Sequence, residues 1–137
     1  MTTLNYWAIG AASIAAFVEG AVWNSPLIFG NERVRLAGLP EADSHKPPVV
    51  QIIVELLRQT ISASIFAYLL VLTGIDSIQS AILLGLLLWL GFQANAIVGG
   101  LIWEKMPPRL FAIHAGDALL KTITIAAILA AWTHYSR

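Results

Sequence analysis

One long apolar segment of the chain carries two charged residues inside it. Residues 48–74 are long and apolar enough to cross a bilayer, yet they contain Glu55 and Arg58. The hydrocarbon core of a bilayer is about 30 Å thick and is spanned by roughly 20 helical residues, whereas an ionised side chain at its centre costs about 2.5–3.5 kcal/mol. The charged groups must therefore face protein or water, and the rest of the chain has to supply that surface.

Helical spacing puts the polar side chains of this segment on one face. Large aliphatic residues occupy the other faces, as expected of a helix that contacts lipid on most sides. The polar stripe consists of Gln51, Glu55, Arg58, Gln59 and Ser62. We expect it to point towards the other helices.

The composition is typical of an integral membrane protein. The 137 residues are 58% hydrophobic and 12% charged, whereas soluble domains average about 25% charged residues. The formal net charge is zero, so the sequence offers no basic surface for nucleic acid, and we expect membrane lipids instead as partners. The chain has no cysteine, which excludes disulfides and thiolate zinc ligands.

Four apolar segments are long enough to cross a membrane. We predict an all-α fold, a polytopic transmembrane four-helix bundle that forms one integral membrane domain over residues 1–137. The predicted spans lie at about 5–28, 49–73, 78–103 and 110–132, and residues 30–47 form a soluble loop that holds at most one short interfacial helix.

Outside the spans, the basic residues lie in two of the loops, with Arg137 at the C-terminus as the exception. Arg33, Arg35 and Lys46 lie in the first loop, and Lys105 and Arg109 lie in the third. By the positive-inside rule both loops are cytoplasmic. Four spans then place both termini outside the cytoplasm.

Other spans also carry polar side chains at depth. An ionisable residue inside a span is by default a hypothesis for a functional site. The candidate pathway or buried polar residues are Glu19, Glu55, Arg58, Asn95, His114, Asp117 and Lys121. A lone carboxyl at such depth must carry a proton, be paired or be hydrated, so Glu19 is neutral, pairs with His114 or contacts water.

Small residues recur every fourth position in two spans. Such seams let helix backbones approach closely, and Asn95 can donate a hydrogen bond across its seam. The seams are Ala12, Ala16 and Gly20 in the first span and Gly91, Asn95 and Gly99 in the third. Two seams exceed what one small bundle needs, so we predict a homo-oligomer or a larger membrane complex.

Acid-then-base pairs occur at similar depth in the second and fourth spans. Glu55 precedes Arg58, and Asp117 precedes Lys121. The pattern suggests a weak parallel repeat in which the first two spans match the last two, although chance in apolar helices of limited composition is the stronger explanation. The alternative to a functional role is structural, since such intrahelical pairs neutralise each other and hold helices in register.

The sequence shows no recognisable catalytic or metal motif. His114 and Asp117 could supply two metal ligands, but no HExxH or paired-histidine spacing accompanies them, and a hydrogen-bonding role for His114 is the simpler interpretation. We therefore predict no catalytic residue, no metal and no cofactor.

Several short segments together resemble a known family. They are Trp7-Ala8-Ile9, Gly20, Trp23, Ser25-Pro26-Leu27, Phe29-Gly30, Trp89-Leu90-Gly91-Phe92 and Trp103-Glu104. In these segments the chain resembles small bacterial membrane proteins catalogued as domain of unknown function 1761, with Asn24 where an aromatic residue is usual. The resemblance implies a four-helix protein of the inner membrane and no assigned activity.

Three classes of function remain open from the sequence. The leading one is passage of a small solute or ion through an oligomer, with coupling to protons through Glu19 as one form of it. The second is a non-catalytic accessory or assembly subunit, in which the charged pairs only fix helix register. The third is a small membrane enzyme acting on lipophilic substrates, with Glu104, Arg109 and His114 near its site.

Overall fold

The computed structural model describes residues 4–25, 27–38 and 48–135, and these residues form an antiparallel helical bundle. The helices are α1 (Tyr6–Trp23), α2 (Gly30–Ala37), α3 (Val49–Thr73), α4 (Ile78–Leu88), α5 (Asn95–Trp103) and α6 (Pro108–Tyr135), and a π-helical segment, Trp89–Ala94, joins α4 to α5. Four stretches are long and apolar enough to cross a membrane: α1, α3, α4 through α5, and most of α6. The prediction of an all-α, four-span membrane fold is confirmed.

The first span is shorter than the sequence pattern predicts, because side chains end α1 at Trp23. The Asn24 amide donates to the carbonyl of Gly20 at 3.0 Å, and the Ser25 hydroxyl donates to that of Val22 at 2.6 Å. The backbone N–H groups of Asn24 and Ser25 donate to the same two carbonyls, so backbone and side chains together complete the last turn of α1. Pro26 and residues 39–47 of the first loop lie outside the described residues.

A tight turn joins α3 to α4 and defines one end of the bundle, here named the turn end. Gly74 adopts a left-handed conformation with φ of 71°, which glycine reaches without strain from a side chain. Ser77 then begins α4, since its hydroxyl accepts from the backbone N–H of Ser80 at 3.1 Å. The opposite end, named the basic end, carries α2 and residues 104–107 between α5 and α6.

The tightly packed half of the bundle lies at the turn end. α1 packs against α3 and α6, and α6 also packs against α4 and α5. The contacts are lined by fully buried alanines together with Leu70 and Leu129, so the helix backbones come close together as small residues allow. The alanines are Ala8, Ala12, Ala16, Ala63, Ala67, Ala81 and Ala126.

The two predicted seams have different surroundings. The alanines of the first seam are buried inside the protomer. In the second seam, a side chain added at Gly91 or Gly99 would meet nothing within 4 Å, and Asn95 is exposed and donates to the carbonyl of Gly91 in its own helix. The second seam is thus left uncovered within the described part of one chain.

The packing departs from the two-fold arrangement that a parallel repeat predicts. If the first two spans matched the last two, the third span would pack against α3 as α1 packs against α6. α1 packs extensively against α6, whereas no comparable contact joins α3 to α4 or α5 in the described residues. Instead, α3 and the third span diverge from their shared turn, which leaves a cleft between them towards the basic end.

Candidate functional site

The cleft has a volume of about 1200 Å³ and lies in the half of the bundle next to the basic end. α3 forms one wall and the π segment with α5 forms the other, while α6 and the end of α1 form its floor. The apolar packing at the turn end closes it in that direction. Pockets for small ligands commonly measure roughly 300–1000 Å³, so this cleft has room for a lipid-sized molecule.

Four charged side chains meet in the floor and wall of the cleft. The Lys121 ammonium lies 3.1 Å from Asp117 Oδ2 and 3.3 Å from Glu55 Oε1. Arg58 donates to Glu55 Oε2 at 2.5 Å, and the Gln59 amide donates to Oε1 at 2.7 Å. The charged stripes of the second and fourth spans therefore converge on Lys121. These residues, Glu55, Arg58, Asp117 and Lys121, are named the charge cluster, and their formal charges cancel.

The inner part of the charge cluster is shielded from solvent. The side chains of Lys121 and Asp117 are 14% and 15% exposed, whereas that of Arg58 is 67% exposed. Asp117 Oδ1 is buried without a hydrogen-bond partner in the described structure, while the Asn24 amide lies 3.4 Å from Oδ2. The part of the charge cluster on α3 is thus more exposed to solvent than the part on α6.

Glu19 lies beside the cleft, where α1 packs against α6. Its Oε2 accepts a hydrogen bond of 2.5 Å from the Thr124 hydroxyl, and its Oε1 is buried without a partner in the described structure. Glu19 and Asn95 are not among the residues that line the cleft, whereas His114 is. Five of the seven candidate residues therefore share this cavity, together with several polar side chains that the sequence pattern did not single out.

The basic end of the cleft carries a second group of charges. Glu32 accepts from Arg109 and lies 3.9 Å from Arg35, so one carboxylate serves two arginines. Arg33 lines the cleft together with His114 and has no ion pair among the described residues. Its Nε is buried and has no hydrogen-bond partner there. Sequence reasoning used Arg33 only to orient the chain.

The segment that joins α1 to α2 positions Arg33 over the cleft. The indole of Trp23 donates to the carbonyl of Ile113 at 3.0 Å and packs against Phe29 with ring centroids 4.8 Å apart. The N–H of Gly30 donates to the carbonyl of Ser25 at 2.8 Å, and a side chain at Gly30 would collide with the backbone of the turn. Trp23, Ser25, Phe29 and Gly30 belong to the segments that resemble the family, so these segments build the turn that carries α2.

Polar side chains of the third span, which forms the wall opposite α3, also form hydrogen bonds to α6. The Thr122 hydroxyl lies 2.8 Å from Gln93 Oε1 and 2.7 Å from the carbonyl of Ala118, and its single proton serves one acceptor at a time. The indole of Trp89 donates to the carbonyl of Ala115 at 2.9 Å. The sequence signal for these bonds is weak, because glutamine and tryptophan in an apolar span fit many packing arrangements.

Among the described residues, no group of three or more histidine, aspartate or glutamate side chains could hold a metal ion.

No curated protein and no solved structure shows a significant match to the chain. A family model described as "Protein of unknown function (DUF1761)" matches residues 7–130, which is nearly the whole chain and includes almost all of the four spans. The cleft, the charge cluster and the turn that carries α2 all lie within the match, and the chain belongs to the DUF1761 family.

Proposed function

We propose that this protein moves a small solute across the membrane through the cleft. The observation that supports it is a cavity that reaches from the basic end to the middle of the bundle, is closed by apolar packing at the turn end, and has an ion-paired cluster in its wall. A site near the middle of the membrane that opens to one side at a time is what alternating access requires. With the basic loops in the cytoplasm, the cleft opens inward.

The charge cluster is well placed to couple solute binding to helix movement. The ion pair between Lys121 and Glu55 joins α6 to α3 at 3.3 Å, although the two helices have few other contacts. A solute that competes for either group would loosen this link, because a buried charge deprived of its partner must find another. The movement of α3 relative to α6 would then follow solute binding.

Glu19 is the residue that we assign to proton coupling. It lies in the same layer of the bundle as the charge cluster, and one of its two oxygens is buried without a partner among the residues that the structure describes. A proton on that oxygen removes a buried charge, which is costly in a low-dielectric interior. Release of this proton when the helices move would couple solute passage to a proton gradient.

The proposal is tested in vesicles that contain the purified protein and a pH-sensitive dye. Uptake of a panel of small neutral and zwitterionic solutes is followed by light scattering, transfer of a fluorescent phospholipid between the leaflets is followed by chemical quenching, and the dye reports proton movement. We expect Lys121→Met to slow uptake by about tenfold or more, because both carboxylates lose their shared partner. Lys105→Met is the matched control, since Lys105 is exposed and outside the cleft, and it leaves uptake unchanged.

Two further outcomes complete the test. Glu19→Gln is expected to abolish the proton signal while solute uptake persists. Vesicles with wild-type protein that neither take up a solute nor transfer the phospholipid faster than protein-free vesicles contradict the proposal and favour the accessory-subunit class. The cleft lies within one protomer, so the proposed activity does not depend on the predicted oligomer.

A further inference from the structure

We propose that the molecule bound in the cleft is a phospholipid-like amphiphile, with its phosphate on Arg33 and an acyl chain in the apolar part of the cleft. This inference names the class of solute and rests on the proposed function only in treating the cleft as the binding site. Arg33, the apolar lining and the lateral opening carry it.

Arg33 is the cation at the cleft whose charge is not balanced by a described residue. The charge cluster is neutral within itself, and the neighbouring Arg35 and Arg109 share Glu32. Arg33 is half-buried, and its Nε donor is buried without an acceptor in the described structure. An unsatisfied buried donor is costly, and a guanidinium forms paired hydrogen bonds with the oxygens of a phosphate. An oxyanion bound at Arg33 removes that cost.

The cleft changes from polar to apolar along its length. Its lining at the basic end includes Arg33, Gln51 and His114, and deeper it includes Leu69 and Ile125. An amphiphile has the same division between a charged head and an alkyl chain. A water-soluble anion would use Arg33 but leave the apolar part of the cleft unoccupied, whereas a neutral hydrocarbon would leave Arg33 without an acceptor.

The cleft is open sideways to lipid. α3 and α5 make no extensive contact within the described structure, so no helix separates the cavity from the surrounding membrane along this gap. Apolar side chains at its rim are exposed, with Ile65 at 57% and Phe92 at 72%. A lipid can therefore enter between α3 and the π segment without its chain passing through water.

The position of Arg33 matches the level of lipid headgroups. α2 directly follows the turn after the first span, so Arg33 lies at the membrane face that the basic end occupies. Glu104 also lines the cleft at this end, but its side chain is exposed and is accessible to water. The headgroup contact that the structure calls for is therefore a phosphate on Arg33, with no requirement for a cationic group.

Native mass spectrometry of the full chain in detergent micelles tests the headgroup. The probes are phosphatidylglycerol, phosphatidylcholine and diacylglycerol with identical chains, together with inorganic phosphate. We expect both phospholipids to bind and diacylglycerol to bind about tenfold more weakly. Arg33→Gln should remove this difference. Arg35→Gln, which takes the same charge from an exposed site on the same helix, should preserve it.

Equal binding of diacylglycerol and phospholipid by the wild type, or the same phospholipid affinity in Arg33→Gln and Arg35→Gln, overturns the inference. Inorganic phosphate that displaces phospholipid completely at equal concentration also overturns it, since the site would then be one for a free anion.

A second pair of variants tests the chain-binding part without touching any charge. Ala96 and Ala112 are both exposed on helices, but only Ala96 lines the cleft. Ala96→Phe fills the cavity and should weaken binding of both phospholipids, while Ala112→Phe should not; equal binding by the two variants contradicts the inference. Phospholipid binding without any transport leaves this inference standing and contradicts the proposed function, and transport of water-soluble solutes without phospholipid binding does the reverse.

Discussion

At the scale of single residues, the missing side chain of Gly20 makes the charge cluster sterically feasible. A Cβ built at this position would lie 2.5 Å from Cε and 2.7 Å from Nζ of Lys121. The Lys121 side chain thus passes directly over the backbone of α1 on its way to Asp117 and Glu55. Sequence reasoning placed Gly20 in a seam for helix backbones, whereas the structure shows that it also accommodates a charged side chain.

We predict that Gly20→Ala displaces the Lys121 ammonium while the fold is retained, because the colliding atoms are the far end of a flexible side chain. Losing a charge-assisted hydrogen bond should lower the free energy of unfolding by about 1.5–3 kcal/mol. Denaturation in mixed detergent micelles measures this difference. Gly10→Ala is the control in the same helix, since a Cβ there meets nothing within 4 Å. Equal stability of the two variants would show that Lys121 is not held by its carboxylates.

At the scale of elements, the π segment Trp89–Ala94 sets how the third span lies against α6. A π turn inside an α-helix changes the direction of the side chains that follow it, and such turns often occur at functional sites. Here the segment begins with the Trp89 bond to α6 and contains Gln93, which is bonded to Thr122. The wall of the cleft formed by α5 therefore depends on two polar contacts in an otherwise apolar span.

We predict that Gln93→Leu loosens this segment. Interhelical hydrogen bonds in membranes contribute about 0.6 kcal/mol on average, so amide exchange across Trp89–Ala94 should become about threefold faster. Hydrogen exchange followed by mass spectrometry in micelles measures it. Gln79→Leu serves for comparison, because Gln79 is exposed on α4 and outside the cleft. Unchanged exchange in Gln93→Leu would mean that the bond between Gln93 and Thr122 does not stabilise the π segment.

At the scale of the whole molecule, the bundle is divided into a tight half and an open half. Fully buried alanines let α1, α3 and α6 approach closely at the turn end, while the divergence of α3 from the third span opens the basic end. The closed end and the open end thus have separate physical causes, namely small-residue packing in one and missing helix contact in the other.

The division into a tight half and an open half predicts how fast an introduced cysteine reacts at different positions. The chain has no cysteine of its own, so each single substitution gives a protein with one thiol. Ser62→Cys lies in the cleft, Leu57→Cys lies nearer the basic end but on the outer face of α3, and Ala67→Cys lies in the tight half. In micelles, a charged thiol reagent should modify Ser62→Cys about tenfold faster than the other two, because only a hydrated thiolate reacts. Faster modification of Leu57→Cys would contradict a water-accessible cleft.

The sequence by itself determined that this chain crosses a membrane with four helices. The length and polarity of each segment decide whether it is more stable in water or in hydrocarbon, and this preference does not depend on where the other segments lie. It also indicated the pairs of Glu55 with Arg58 and of Asp117 with Lys121, since helical spacing alone brings their side chains together. Only the tertiary structure decided that Lys121 joins the two pairs and that Glu19 bonds to Thr124 outside the cleft.

The tertiary structure also decided which residues the cavity exposes to a ligand. Arg33 lies on α2, whose position depends on the turn after α1, and the π segment depends on bonds between distant helices. Such contacts join residues far apart in the chain, and many arrangements of four apolar helices satisfy the same hydrophobic pattern. The choice among them follows from side-chain fit and from the pairing of buried charges, which a linear pattern does not contain.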